Sequence, residues 1–268
     1  MNEAADQFQR TELLLGSSNM KLLKNRRVAV FGVGGVGGHA AEALCRSGIG
    51  MIDVYDGDVV DITNINRQII ALHKNIGRDK VEVMCERLLE INPEVVVGAL
   101  KLFYLPDTAD SVDLTVYDYI IDAVDTMTAK IELVSRAKSA GIPIICSMGA
   151  ANKLDPAAFE VSDIFKTSVC PMARIMRNEL RKRNIKDLKV VYSKEPPIIR
   201  PSTSNQTQLS DDQTPLSDGQ TPLSANQTPS PAAHSSRPLP ASIAFVPPVA
   251  GLILAGEVIK DLTNPLSF

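Results

Sequence analysis

None of the four cysteines, Cys45, Cys85, Cys146 and Cys170, stands in a C-x-x-C pair, which argues against a structural zinc site. The stretch Met1 to Arg10 is too polar for a signal peptide, and with scattered single thiols the expected compartment is the reducing cytoplasm. No apolar run reaches the roughly 20 residues that span a bilayer. The longest, Ile243 to Ala255, carries Pro247 and Pro248 and reads as a buried helix. Nor does one sign of charge dominate: 28 Lys and Arg against 31 Asp and Glu leave a net −3, so any surface for nucleic acid must be local. His39 and His73 lack a paired carboxylate or second histidine at ligand spacing. What is present is ordinary for a globular chain, 44% hydrophobic and 22% charged over 268 residues, long enough to bury a core.

From Arg27 to Ser147 short β-branched runs alternate with helical periodicity. Strands are expected near Val28–Phe31, Met51–Tyr55, Glu94–Ala99, Tyr119–Asp122 and Pro143–Ser147. The clearest helix runs from Arg78 to Ile91, with Val81, Met84, Cys85, Leu88 and Leu89 on one face before Asn92-Pro93 stops it. Repeated β-α-β units imply an α/β fold with a mostly parallel, doubly wound sheet. After Arg200 the composition changes: Gln206–Asp212, Gln213–Gly219 and Gln220–Asn226 are imperfect copies of Q-T-P-L-S-x-x. One leucine per repeat and regular prolines cannot build a coiled-coil seam, so Pro201 to about Arg237 reads as a long disordered insertion.

Gly32-Val33-Gly34-Gly35-Val36-Gly37-Gly38 follows the first strand and opens a helix, a turn that lets phosphate or ribose approach backbone N–H groups. Asp56, ending the second strand, fits an acidic ribose clamp. These two features alone suit a nicotinamide or flavin dinucleotide equally well. The next stretch, Asp56-Gly57-Asp58-Val59-Val60-Asp61-Ile62-Thr63-Asn64-Ile65-Asn66-Arg67-Gln68, with Lys80 and later Asp122-Ala123-Val124-Asp125, adds cations and carboxylates at the strand ends. Two cations are surplus to a dinucleotide and suit a triphosphate, and Asp125 could hold Mg²⁺.

This D-x-D-x-V-x-x-x-N-x-x-R-Q string resembles the ThiF/MoeB-type, ubiquitin-activating family of ATP-dependent adenylyltransferases, which have a Rossmann-like sheet. The resemblance covers about Phe8 to Ile199 and Arg237 to Leu262. It implies Asp56 on the ribose, the turn from Gly32 through Gly34 and Gly35 to Gly37 beside the nucleotide, and Asn64, Arg67 and Lys80 around the phosphates. It further implies Asp125 on Mg²⁺, with Asp58 and Asp122 in the same polar set. Arg10, in Phe8-Gln9-Arg10-Thr11, matches an arginine that in this family reaches the partner subunit's phosphates, which implies a homodimer. On this reading residues 1–200 form the ATP-binding domain, 201–237 the insertion, and 238–268 a C-terminal segment, largely helical, that packs back on that domain.

Within the family the chain is similar to the tRNA threonylcarbamoyladenosine dehydratases, through Arg10–Leu14, Ser147–Pro156 and Ala241–Pro247. It departs at Ala150-Ala151, where a glycine is expected, and in the insertion. The implied reaction adenylates the threonyl carboxylate of a modified adenosine next to the tRNA anticodon, then closes a ring with release of AMP. Intramolecular attack needs no protein nucleophile. In keeping with that, Cys45, Cys85 and Cys146 are expected to be packing residues, while Cys170 is left open. RNA would need a local basic face, and the stretch from Arg174 to Lys189 offers seven cations against Glu179 and Asp187. Met172, Ile175, Met176 and Leu180 would give it an apolar side, leaving Arg181, Lys182 and Arg183 as candidate RNA contacts, although charge alone fits a solvated helix equally well. Lys24, Arg26 and Arg27 form a weaker second patch. Rival readings are an adenylyltransferase for a carrier-protein terminus, an NAD-dependent oxidoreductase, and a non-catalytic nucleotide-binding scaffold.

Overall fold

A computed structural model describes residues 6–198 and 240–263; the Q-T-P-L-S repeats and their expected disorder lie outside the described residues. Two short helices, α1 (Gln9–Leu15) and α2 (Ser17–Lys24), lead into β1 (Arg27–Phe31), α3 (Gly37–Arg46), β2 (Met51–Tyr55), α4 (Lys80–Ile91) and β3 (Val96–Leu100). Then come β4 (Tyr119–Asp122), α5 (Met127–Ala140), β5 (Ile144–Ser147), β6 (Phe159–Asp163), α6 (Pro171–Lys182), β7 (Lys189–Ser193) and α7 (Val246–Thr263). The sheet order is β3-β2-β1-β4-β5-β7-β6, parallel throughout except for β6, which runs antiparallel to β7.

Strands β1, β4 and β5 are buried along nearly their whole length because helices cover both faces. On one side Leu44, Met84, Leu88, Leu254 and Val258 pack against Val28, Val30 and Ile121. On the other, Leu133, Met176 and Leu180 pack with Phe31, Ile120 and Val190. Ile243–Ala255 is indeed largely helical, as the start of α7, which packs on α3. The closeness of that packing has a cause: Gly251 lies directly on the Val36 carbonyl, with no room for a Cβ.

Two strands, β6 and β7, were not anticipated, and they alter the basic segment. Helix α6 stops at Lys182 because Asn184 takes a left-handed φ of 56° and the Ile185 N–H reaches back to the Leu180 carbonyl at 3.0 Å. Lys186 therefore lies beyond the helix, and Lys189 opens β7, where Glu257 and Asp261 hold it. In α4 the core face includes Val83, while Leu89 is exposed and Cys85 half-buried.

Candidate nucleotide site

Strand order reverses direction about β1 and β4, so the crevice outside their carboxyl ends is where an open α/β sheet takes a ligand. Both candidate loops start there. Gly32 follows β1 with φ +90°, and a Cβ on it would lie 2.8 Å from the Ala123 carbonyl oxygen. The turn from β1 into α3 is thus locked against the loop after β4, and Gly37, starting α3, sits on the Gly32 carbonyl. Gly35 faces Arg67 Cγ and Pro247 Cβ, each 3.2 Å from where its Cβ would be. Gly34 is the open member: the nearest atom to its would-be Cβ is Gln68 Nε2 at 3.9 Å.

Asp56 emerges from β2 and accepts the Val33 N–H at 2.7 Å and the Asp58 N–H at 2.9 Å. Burial raises its pKa, with nearby Lys80 and the two backbone bonds pulling the other way. Each oxygen retains a lone pair for a hydroxyl. Lys80, the first residue of α4, is only 5% exposed, and its ammonium lies 2.8 Å from the carboxylate of solvent-facing Asp58. A buried cation whose one acidic partner is half in water can turn to a phosphate at small cost. Asn64 is buried and closes a capping box with Asp61, fixing the turn that carries Arg67. The Arg67 guanidinium donates to the Thr63 carbonyl and Asn66 Oδ1 and, among the described residues, forms no ion pair with an acid.

The loop after β4 separates two carboxylates that looked alike in sequence. Asp122 is fully buried beside Lys130, also fully buried, with 2.9 Å between the charged groups. Its other oxygen accepts the Val124 N–H at 3.2 Å, and Lys130 donates to the Val124 carbonyl at 2.9 Å. Asp122 thus braces the loop from beneath and presents no exposed surface to a ligand, which corrects its placement among the groups facing the nucleotide. Asp125 stands exposed at the loop's tip, its carboxylate engaged among the described residues only by a 3.4 Å contact from the Thr126 hydroxyl.

A family model described as the ThiF family matches residues 8–267. The chain belongs to the ThiF family. This ThiF-family chain is 44% identical over 261 residues to the tRNA threonylcarbamoyladenosine dehydratase of Bacillus subtilis, covering 97% of this chain and 96% of that protein. It is 40% identical over 174 residues to the Escherichia coli enzyme of the same name, covering 65% of each. Crystal structures of E. coli tRNA N6-threonylcarbamoyladenosine dehydratase, TcdA, match its fold with TM-scores of 0.79 for the AMP complex and 0.77 for the ATP complex. Those matches cover 97% of this chain and 94% of TcdA at 29% and 30% identity.

Elsewhere the ThiF-family chain revises several sequence expectations. Lys24, Arg26 and Arg27 are each paired, with Glu94, Asp118 and Asp53, and form no free basic patch. Of the three candidate RNA contacts, Lys182 and Arg183 both bridge to Glu179, whereas Arg181 stacks over Phe165 at 5.3 Å and has no acidic partner among the described residues. Arg10 lies exposed on α1 beside Leu13 and Leu14, each 84% exposed. Cys45, Cys146 and Cys170 are buried. Burial pushes the Cys45 thiol up to about 11 and the Cys146 thiol well above its ordinary range, the latter with help from Asp122.

Sequence reasoning missed the residues that tie the site to the returning chain. Asn152, at φ +58°, accepts the Ile198 N–H at its carbonyl, donates its own N–H to the Ala241 carbonyl, and accepts the Ala241 N–H at Oδ1. Asn66, next to Arg67, donates to the Ser242 carbonyl at 3.0 Å. Neither contact had a local signal, because their partners lie far away in sequence.

Proposed function

We propose that this chain catalyses the ATP-dependent dehydration of threonylcarbamoyladenosine next to the anticodon of tRNA. The observation that carries this reading is near full-length identity to the B. subtilis dehydratase, extending beyond the nucleotide motif itself. In the first step a substrate carboxylate oxygen attacks the α-phosphorus of ATP; the new P–O bond forms as the bond to pyrophosphate breaks. In the second, a nitrogen or oxygen of the same threonylcarbamoyl group attacks the activated carbonyl, loses its proton and expels AMP. One water is lost overall from the nucleoside. Ring closure within one substrate can reach an effective molarity of roughly 10⁵ to 10⁸ M, consistent with a site whose nearby thiol, Cys146, is buried and held protonated.

The residues' roles follow from their chemistry. Asp56 receives the ribose hydroxyls, and the Gly34 face admits the phosphates. Arg67 and Lys80 neutralise the charge that builds on the phosphates, with Asn64 fixing the Arg67 turn. Arg10 would complete the neighbouring site in a homodimer. Among the described residues no group of three or more His, Cys, Asp or Glu is placed to hold a metal. The lightly engaged Asp125 carboxylate fits Mg²⁺, which commonly takes one or two protein carboxylates alongside substrate phosphates. Bound there, Mg²⁺ would supply a Lewis acid to the phosphates. Among the described residues no helix is long and apolar enough to cross a membrane, and we place the activity in the cytoplasm, where tRNA is found.

The test is mass spectrometry of nucleosides after incubating the protein with ATP, Mg²⁺ and threonylcarbamoylated tRNA. Loss of one water's mass, with AMP and pyrophosphate formed, is the expected result. ADP and phosphate, or product without ATP, would overturn the adenylate route. Adenylation of a carrier protein with no change in the nucleoside would favour the carrier-protein reading.

A further inference from the structure

The turn that carries Arg67 ends in a side chain that the mechanism above leaves unused. Gln68 is 6% exposed. Its backbone is satisfied, the N–H by the Asn64 carbonyl at 2.9 Å and the carbonyl by the Ala71 N–H at 3.0 Å. Its carboxamide is not: Oε1 is buried without a partner, and Nε2 makes no hydrogen bond among the described residues. Leaving a buried amide group unmade costs about 1–3 kcal/mol, and native proteins keep few such groups. A methionine or leucine would fill similar space without that cost, so packing alone does not account for glutamine.

The direction of the amide's donor end, Nε2, points to a partner for it. Among the described residues, and leaving aside Gly34's own chain neighbours, Nε2 is the one heavy atom within 4 Å of the would-be Gly34 Cβ, so the amide lies over the open face of the glycine turn. The same turn opens α3 and is flanked by Arg67. Anything seated there lies at the N-terminal N–H groups of α3 with the Arg67 side chain alongside, an environment that favours anionic oxygen. We propose that Gln68 is a phosphate-positioning residue whose Nε2 donates to a nucleotide phosphate oxygen lying over Gly34. The assignment rests on the nucleotide reading above. As a neutral donor, Gln68 fixes the phosphate's orientation without adding charge, so its loss acts on alignment more than on long-range attraction.

The experiment compares wild type, Gln68→Met and Gln68→Glu by thermal melting with and without ATP–Mg²⁺ and by ATP–pyrophosphate exchange in the presence of substrate tRNA. Gln68→Met is expected to melt at or above wild type without nucleotide, to show a smaller ATP-induced rise, and to exchange roughly 10- to 100-fold more slowly, the scale of one lost hydrogen bond. Gln68→Glu, which keeps the size but sets a carboxylate against phosphate, should lose more. A structural role would give the opposite pattern, a lower melt with an unchanged ATP response, and would overturn the assignment. Should Gln68→Met fail to fold, an undiminished ATP response in Gln68→Glu would overturn it equally. Wild-type protein with neither an ATP-induced shift nor exchange would overturn the nucleotide reading itself, and this assignment with it.

Discussion

Replacing Lys130 with methionine keeps most of the side chain's volume and removes the ammonium 2.9 Å from Asp122. Neither side chain has any solvent exposure, so the Asp122 charge would be left buried and uncompensated, a change that typically costs about 3–5 kcal/mol. For a folded unit of about 150–250 residues each kcal/mol moves the melting midpoint by about 2–4 °C. The expected drop is therefore about 6–20 °C by differential scanning calorimetry. Asp122→Asn in the same molecule should recover most of that loss, because the unpaired charge is gone and the Val124 N–H still finds an oxygen. A control is Lys24→Met, which breaks an ion pair to Glu94 with both side chains about 70% exposed and should shift the melt by no more than about 2 °C. The single variant should also slow ATP–pyrophosphate exchange, since Lys130 holds the Val124 carbonyl next to Asp125. If Lys130→Met melts within about 2 °C of wild type, or the double variant melts no higher than the single, the buried pair does not brace this loop.

Arg67→Ala and Lys80→Ala should each lower turnover by roughly 10² to 10³, the scale of one lost electrostatic stabiliser; unchanged rates in nucleoside mass spectrometry would remove them from the site. Arg10→Ala should fail alike, yet mixing it with Arg67→Ala should restore activity if each site borrows Arg10 across a dimer, and an additive result would place Arg10 in its own subunit. On α6, Arg181→Gln should weaken tRNA binding and flatten its salt dependence more than Lys182→Gln, whose charge is already met by Glu179; equal effects in filter binding would count against this ranking. Iodoacetamide at neutral pH should label Cys85, the half-buried thiol, before Cys45 or Cys146, which burial holds protonated; peptide mapping that finds Cys146 first would contradict its packing. Replacing Pro201–Ser236 with a short flexible link should leave melting and exchange nearly unchanged, and a large loss in either would give that stretch a function.

Much of this arrangement was legible locally. The glycine turn, the acid ending β2 and the Asn92-Pro93 stop are encoded by residues adjacent in sequence, and the strands they border fall within two residues of expectation. Asp122 and Asp125 show where local reading ends. The spacing places both at the end of β4, yet only Lys130, a full helical turn into α5, decides that one carboxylate is buried and the other exposed. The end of α6 was missed for a related reason: Asn184 is a weak stop signal, and the cations on either side of it look continuous in sequence. Gln68 stood in plain view inside the motif, but an unmade hydrogen bond becomes visible only in three dimensions.

Asn152 holds the chain on both sides of the repeats, at Ile198 and at Ala241. For a polymer, joining two points already fixed together carries an entropy that grows only with the logarithm of the length between them, about 0.6 kcal/mol for each doubling. On the composition-based reading of the repeats as flexible chain, copies added or lost between these two anchors would change folding stability by less than a single core methyl group does. What the fold constrains is Asn152 and its three backbone contacts, which bring Ile198 and Ala241 together whatever the length of chain between them.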